Sequence, residues 1–593
     1  MDFKNRNRGL CIVLAGLLVL SCGGETDSGK GKPAESPVAL ALTVAQEYVD
    51  GYFSQFPEDA ILWGFPNPPS DRCRDLSPGA LAAWRAKEDE WLATLQDLDP
   101  DSLDGTDAAA PNALALERLE ASRDLRVCRF ELWTVNASFL GWQSYLPDSF
   151  VVQAVGTDEA RADVLIRARD VARFVDTEIA NLREGLSSGY VAPRSGVEAV
   201  LKVTDGLLEG APEASPFYEP AARDGTQEFT TSLLSVIDAE INPAIRRYRE
   251  FLSTEYLPAA RDSIAAADTP GGEDCYAAAI RFYTSMHLSP EEIHETGLRE
   301  MNRLHEEMAE IGRRSFGIDD PTELLDHVRN DPSYRFGSEQ EILDYAQEAI
   351  DRARATVPEW FGFVPRSQVV VKPYPAYLKR TGGGQYSMGS PDGKVPATYK
   401  IGTYDPTSLG RAEIEALTFH ETYPGHHLQI MVPYEIGDVH QVLQFFWVDA
   451  VGEGWALYSE RLADEMGLYS SDLSEVGRLS NEAWRAARLV IDPGIHALGW
   501  TRQQAIDYML ENTSKTEAEV IYEIDRYIAN PGRAVSYMIG SLEILRLRSL
   551  AEERLGDRFD IRAFHDAVIG EGTLPFEMLR HKIERWIESE ISD

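Results

Sequence analysis

Residues 409–429 read LGRAEIEALTFHETYPGHHLQ: an apolar helical lead-in, then His420-Glu421, and six residues after His420 the pair His426-His427. Three of the chain's 11 histidines fall within eight residues, next to an acid. A zinc hydrolase needs two imidazoles a few ångströms apart and a carboxylate at the attacking water. HExxH on a helix supplies them, because residues four apart share a face. Here the position four after His420 is Pro424. Residues six or seven apart on an unbroken helix are separated by a rise of ~9–10.5 Å, too far to share an ion through bonds of ~2.0–2.1 Å. The helix must therefore be interrupted, and Pro424-Gly425 is the interruption, since Pro lacks a donor and Gly permits unusual dihedrals. Looping those two residues out predicts that His426 replaces the second His of the pattern. His427 then points elsewhere, toward a ligand's hydrogen-bonding partner or toward substrate.

A third ligand is expected on a following helix. Residues 448–461 read VDAVGEGWALYSER, in which Glu453 lies between Gly452 and Gly454 in an otherwise apolar stretch. Buried acids are rare unless paired or bound to metal, and flanking glycines let such a helix approach closely. Asp449 and Glu460, four and seven residues away on the same face, are alternatives or partners of the ligand set.

Outward from this centre, helical periodicity runs from Leu409 nearly to the end. Before it, from about Ser367 to Tyr404, the chain is β- and Gly-rich: Gln368–Lys372, a turn at Gly382–Gly384, then Ala397–Ile401. The last of these is expected to be a strand beside the metal helix, either an edge strand able to pair with an extended peptide or one more strand of the small sheet. Upstream, Asp158–Glu184, Gln227–Ala267 and Ser289–Arg314 read as amphipathic helices. Ser289-Pro290-Glu291-Glu292 is a strong start signal. The division expected is an N-terminal helical region, 39–366, and a catalytic region, 367–593, holding the small sheet and the motifs.

Four segments in order resemble one family: HETYPGHHLQ, GEGWALYSERL, DPGIHALGWTRQQAIDYM (Asp492–Met509) and NPGRAVSYMIGSLEI (Asn530–Ile544). They are similar to the bacterial domain of unknown function DUF885, over at least Ser367–Arg585. The resemblance implies a glutamate-type zincin-like metallopeptidase, often a lipoprotein. It implies a mainly helical peptidase fold, a small sheet next to the metal-binding helix and a central cleft. Its pattern HExxPGH…EGWA falls on His420, Glu421, His426 and Glu453. One departure is Ser390-Pro-Asp-Gly-Lys-Val-Pro396, where many members carry a DGSRPG-like segment.

The expected chemistry is hydrolysis of a peptide bond, with short peptides as the expected substrates. Zn²⁺ is held by His420, His426 and Glu453, and Glu421 is the general base. Tyr537 is the first candidate for the donor to the oxyanion, His496 the second. Arg533 suits a substrate carboxylate or a salt bridge equally. A metal-dependent amidohydrolase acting on a non-peptide or cell-wall amide is an alternative. A non-catalytic binding lipoprotein with a relic metal site is another, although a relic has no need of Glu421.

With 57 Lys+Arg against 97 Asp+Glu, the net charge of −40 repels phosphate backbones, so nucleic acid is not an expected partner. Lys4, Arg6 and Arg8 precede an apolar run, Leu10–Leu20, too short to span a bilayer. Val19-Leu20-Ser21-Cys22 then resembles a bacterial lipobox. Residues 1–21 read as a lipoprotein signal peptide, and 22–38 as a lipidated Cys22 with a polar tether, placing the protein at the cell envelope. Gly23 after the Cys favours the outer membrane. With Cys22 lipidated, Cys73, Cys128 and Cys275 allow one disulfide, for which Cys73–Cys128 is the expected pair.

Overall fold

Ser289 accepts a hydrogen bond from the backbone N–H of Glu292 at 3.2 Å, and the Glu292 carboxylate accepts one from the Ser289 N–H at 3.0 Å. This reciprocal cap, with Pro290 in the first turn, starts a 22-residue helix. Local chemistry of this kind sets most of the architecture. The computed structural model describes residues 36–374, 383–390, 393–437 and 439–592. The expected signal segment, Cys22, the expected tether as far as residue 35, Gly382, Pro391 and Asp392 lie outside the described residues.

The helices that frame the site are α1 (Asp158–Ser188), α2 (Gly272–Thr284), α3 (Pro290–Ile311), α4 (Ile414–Glu421), α5 (His426–Ile436), α6 (Asp449–Glu465), α7 (Asp472–His496) and α8 (Ser536–Leu555). Among the described residues the chain is mainly helical with one three-stranded sheet. Residues 37–593 form one compact unit. Its largest apolar cluster runs from Val44 to Ile587 and draws on both sides of residue 366. Among the described residues no helix is long and apolar enough to cross a membrane.

The stretch from Gln227 is helical, but it ends at Ala259, eight residues before the expected Ala267. Ala260 turns to extended backbone, and Arg261 is drawn into a short bridge, donating to the Ala192 carbonyl and accepting from Arg194 N–H. Periodicity alone does not register such a tertiary capture.

The strands are β1 (Val369–Pro373), β2 (Gly384–Ser387) and β3 (Ala397–Ile401), in spatial order β1-β3-β2. β3 pairs parallel with β1 and antiparallel with β2. It is therefore the central strand, so of the two readings the structure favours one more strand of the sheet over an edge. β2 is the outer strand on the side of the metal motif. A Cβ built on Gly384 would lie 3.2 Å from Cγ of Glu421, so Gly here lets the strand pack directly on α4.

Cys128 is bonded to Cys275, not to Cys73, across a sequence separation of 147. Cys73 is buried in the N-terminal cluster, its Sγ 3.8 Å from the Arg167 carbonyl on α1. Its proximity in sequence to Cys128 says nothing of this, because the two segments pack against different helices.

His496 also departs from expectation. Its Nδ1 accepts a hydrogen bond from Ala266 N–H at 3.1 Å, so Nε2 carries the proton and donates to the Tyr527 carbonyl at 3.1 Å. The ring is fully buried, and burial pushes it down to about 4 against the backbone hydrogen bond that favours the cation. With both nitrogens committed to backbone, His496 has nothing to offer an oxyanion. It joins the end of α7 to two neighbouring segments.

A consequence is testable. The unfolded chain protonates this imidazole below pH 6.5 and the fold does not until about pH 4, so its contribution is complete above 6.5 and is lost as pH falls. In urea titrations, the stability gap between wild type and His496→Gln should shrink by about 1.4 kcal/mol per pH unit below 6.5. A gap that stays constant from pH 7 to 4.5 would contradict the assignment.

Candidate metal centre

α4 stops at Glu421 and α5 starts at His426, so the interruption spans Thr422–Gly425 and not just the Pro-Gly pair. Thr422 N–H still bonds the Thr418 carbonyl at 2.9 Å, Gly425 N–H reaches back to Phe419 at 3.0 Å, and His427 N–H takes the Thr422 carbonyl at 3.2 Å. Gly425 is required, because a Cβ there would stand 1.9 Å from the His420 carbonyl oxygen. The carbonyl of Pro424 accepts from Trp455 Nε1 at 3.1 Å and from Ser459 Oγ at 3.2 Å. Both donors are on α6, so the broken turn is tied to the helix that carries Glu453.

α6 in turn is pressed onto α8. A Cβ on Gly454 would lie 2.5 Å from Cα of Gly540, and one on Gly540 would lie 1.7 Å from the Ala450 carbonyl oxygen. Gly452 clears the indole of Trp447, whose ring is 5.9 Å from that of His426. The two glycines flanking Glu453 thus have separate tasks, one for helix–helix approach and one for the Trp447 ring.

These constraints bring three side chains together. His420 Nε2 lies 3.6 Å and His426 Nε2 3.5 Å from Glu453 Oε2, and the three donor atoms fall within 4.8 Å of one another. Tetrahedral coordination with bonds of ~2.0–2.2 Å needs donor separations of roughly 3.3–3.6 Å, so the set fits a zinc-sized ion. The far ring nitrogens are fixed as well. His420 Nδ1 donates to Glu460 Oε1 at 2.9 Å, and His426 Nδ1 donates to Gln429 Oε1 at 3.1 Å. Each bond leaves Nε2 as the nitrogen facing Glu453, the one that would bind an ion when it carries no proton, the usual arrangement around metal-binding imidazoles.

Electrostatics follow the geometry. Burial opposes a charge on His420, but the carboxylates of Glu453 and Glu460 outweigh it and raise the imidazole to about 9. Burial likewise opposes ionisation of Glu453, yet the two imidazoles hold it well below the usual carboxylate range. A buried carboxylate pair facing two histidines calls for positive charge, from protons or from a cation.

His427 is placed elsewhere. Its Nε2 donates to the Ser367 carbonyl at 2.9 Å, leaving Nδ1 to accept from the Tyr386 hydroxyl at 2.9 Å. Burial pushes this ring down to about 4. It therefore pins α5 to β2 and to the chain entering β1. Glu460 is the partner of His420, and Asp449 pairs with Arg533 at 3.1 Å. Glu421 follows His420 directly and its side chain lies against Gly384. Tyr537 is within electrostatic reach of Glu453, and burial, with that carboxylate, raises its hydroxyl. Gln429 was not among the residues the sequence singled out. Its only signal there is its position three after His426, one turn along the same helix.

The structure of a candidate lipoprotein from Colwellia psychrerythraea superposes with a TM-score of 0.86 at 27% identity, covering 93% of this chain and 100% of that one. A candidate lipoprotein of unknown function from Shewanella oneidensis superposes with a TM-score of 0.73 at 17% identity, covering 91% and 99%, and shares the fold. No curated protein matches the chain. The family described as a bacterial protein of unknown function, DUF885, matches residues 57–583. The chain belongs to the DUF885 family.

Proposed function

We propose that this chain is a zinc-dependent peptidase of zincin-like type, with His420, His426 and Glu453 as ligands and Glu421 as general base. The observation that carries this reading is the convergence of three donor atoms, the Nε2 of both imidazoles standing 3.5–3.6 Å from Glu453 Oε2, each imidazole having its other nitrogen tied to a side-chain oxygen. A relic binding site would keep the ligands, but it has no use for an acid immediately after the first of them.

Held by His420, His426 and Glu453, zinc would supply Lewis acidity for the attacking water and the peptide carbonyl. Glu421 accepts the proton of the attacking water as its oxygen bonds to the peptide carbonyl carbon. As the C–N bond breaks, Glu421 returns that proton to the leaving amine. Tyr537 keeps its phenolic proton, because burial and Glu453 both oppose its loss, and it offers that proton as a hydrogen bond to the oxyanion. The side chains of His426 and Glu453 remain 11% and 16% exposed, which supports access from a cleft. β2, the outer strand beside Glu421, takes over from β3 as the strand an extended peptide could line. The disulfide, and relatives described as candidate lipoproteins, support an exported protein anchored through Cys22 at the envelope.

Metal analysis tests the ligand set. The purified chain should hold one zinc, His426→Ala and Glu453→Gln should lose it, and His427→Ala should keep it while losing stability. Retention in His426→Ala with loss in His427→Ala would reverse the assignment.

The Glu421→Gln variant tests the mechanism separately. It should retain zinc and show a kcat lower by ~10²–10⁴-fold, the usual worth of a general base. The assay is a peptide library with and without chelator, run beside non-peptide amides. Near-normal cleavage by Glu421→Gln would remove the mechanism, and turnover confined to the non-peptide amides would favour an amidohydrolase.

A further inference from the structure

Asp449 opens α6 one turn before Glu453 and on the same face. Its Oδ1 accepts from Arg533 Nε at 3.1 Å. Among the described residues this is the one hydrogen bond the Arg533 guanidinium makes. Other arginines of the region are used more fully: Arg502 grips both oxygens of Asp525 at 2.7 and 2.9 Å, and Arg546 both oxygens of Glu543 at 2.9 and 2.8 Å. Arg533 instead spends one edge on a single oxygen and keeps its two terminal nitrogens, the fork that matches a carboxylate.

The residue is not a loose surface cation. Gly532, at φ 80°, brings the turn so close to α2 that a Cβ would lie 2.9 Å from Ile280 N. Gly532 N–H donates to Asp492 Oδ1 at 3.0 Å, and Asn530 Oδ1 accepts from Asn136 Nδ2 at 3.0 Å. The backbone under Arg533 is thereby held to α7 and to the 136–141 segment. From that segment the half-exposed Phe139 ring lies 5.3 Å from the guanidinium carbon. Burial works against the guanidinium charge, but the carboxylates of Asp449 and Glu453 outweigh it, with the uncharged hydroxyls of Tyr537 and Tyr283 also nearby. The same set shows that Arg533 is within electrostatic reach of the ligand carboxylate and of the oxyanion donor assigned above. Its side chain remains 16% exposed.

We propose that Arg533 receives a carboxylate of the substrate beside the His420–His426–Glu453 set, so that the chain selects peptides bearing a free carboxylate near the bond it cuts. The inference rests on the peptidase reading for what is cut, and on the Arg533 geometry for what is recognised. The carboxylate is either a peptide C-terminus, which makes the protein a trimmer of C-terminal ends, or an acidic side chain. Asp449 is a positioning residue that holds the fork's other edge.

Calorimetry on zinc-loaded Glu421→Gln protein, where turnover is suppressed, separates these cases. Four probes suffice: N-acetyl-Ala-Ala-Ala as free acid and as amide, and the amides of N-acetyl-Ala-Glu-Ala and N-acetyl-Ala-Gln-Ala. The free acid should bind roughly 10- to 100-fold more tightly than its amide, the usual worth of a charge-assisted forked pair. If the Glu amide beats the Gln amide by that margin instead, the carboxylate is a side chain. Adding Arg533→Gln should abolish the preference with zinc content unchanged. Arg533→Lys, which keeps a charge opposite Asp449, should fold and still lose most of it. Equal affinity for all four probes, no binding of any, or a preference that survives in Arg533→Lys overturns the inference. Cleavage by wild type is scored separately. A carboxylate preference without cleavage sinks the peptidase reading alone, whereas cleavage of acid and amide at equal rates, without a binding preference, sinks this inference alone.

Discussion

The carbonyl of Pro424 is the point on which the site depends. A break in a buried helix leaves backbone groups unpaired, at about 1–3 kcal/mol for each buried polar group without a partner. Here Trp455 and Ser459 of α6 supply the missing donors. Satisfying the break and positioning Glu453 are thus a single event, because the helix that repairs the turn is the helix that brings the carboxylate. Gly425, Gly454 and Gly540 remove the three Cβ atoms that would prevent it. The motif letters between His420 and Glu453 are best understood as packing requirements of this one junction.

Around the junction the polar groups are arranged in layers. Glu460 and Gln429 orient the two imidazoles, Arg485 approaches Glu460 at 3.6 Å, and Glu453 faces both rings. Arg485 offsets one of the two carboxylates, and the other calls for positive charge from protons on the imidazoles or from a cation. Within electrostatic reach of Glu453 the set changes character, to Tyr537 and Arg533, while the outer strand β2 lies beside Glu421. In the proposed function the first set holds the ion and the second meets the substrate.

Much of this was legible in the sequence because it was local. The clash between a six-residue spacing and the helical rise forced a break at Pro424-Gly425, and hence His426 over His427. A lone acid between glycines in an apolar helix pointed to Glu453. What was not legible depended on distant partners. The order of β1, β3 and β2 arises from pairings across loops, so β3 could not be seen to be central. Cys275 lies 147 residues from Cys128, and nothing near either names the other. His496 carries the same letters in sequence whether its nitrogens face substrate or, as found, the backbone of Ala266 and Tyr527. Gln429 lacked any signal beyond its helical register.

The central claim is that one ion sits between His420, His426 and Glu453. Crystals of the exported chain grown with zinc, with diffraction recorded on both sides of the zinc absorption edge, test it most directly. The account predicts one strong anomalous peak at ~2.0–2.2 Å from His420 Nε2, His426 Nε2 and a Glu453 carboxylate oxygen, with His427 still bonded to Tyr386 and the Ser367 carbonyl. A peak coordinated by His427, or an ordered site with no anomalous signal among these three residues, would contradict it.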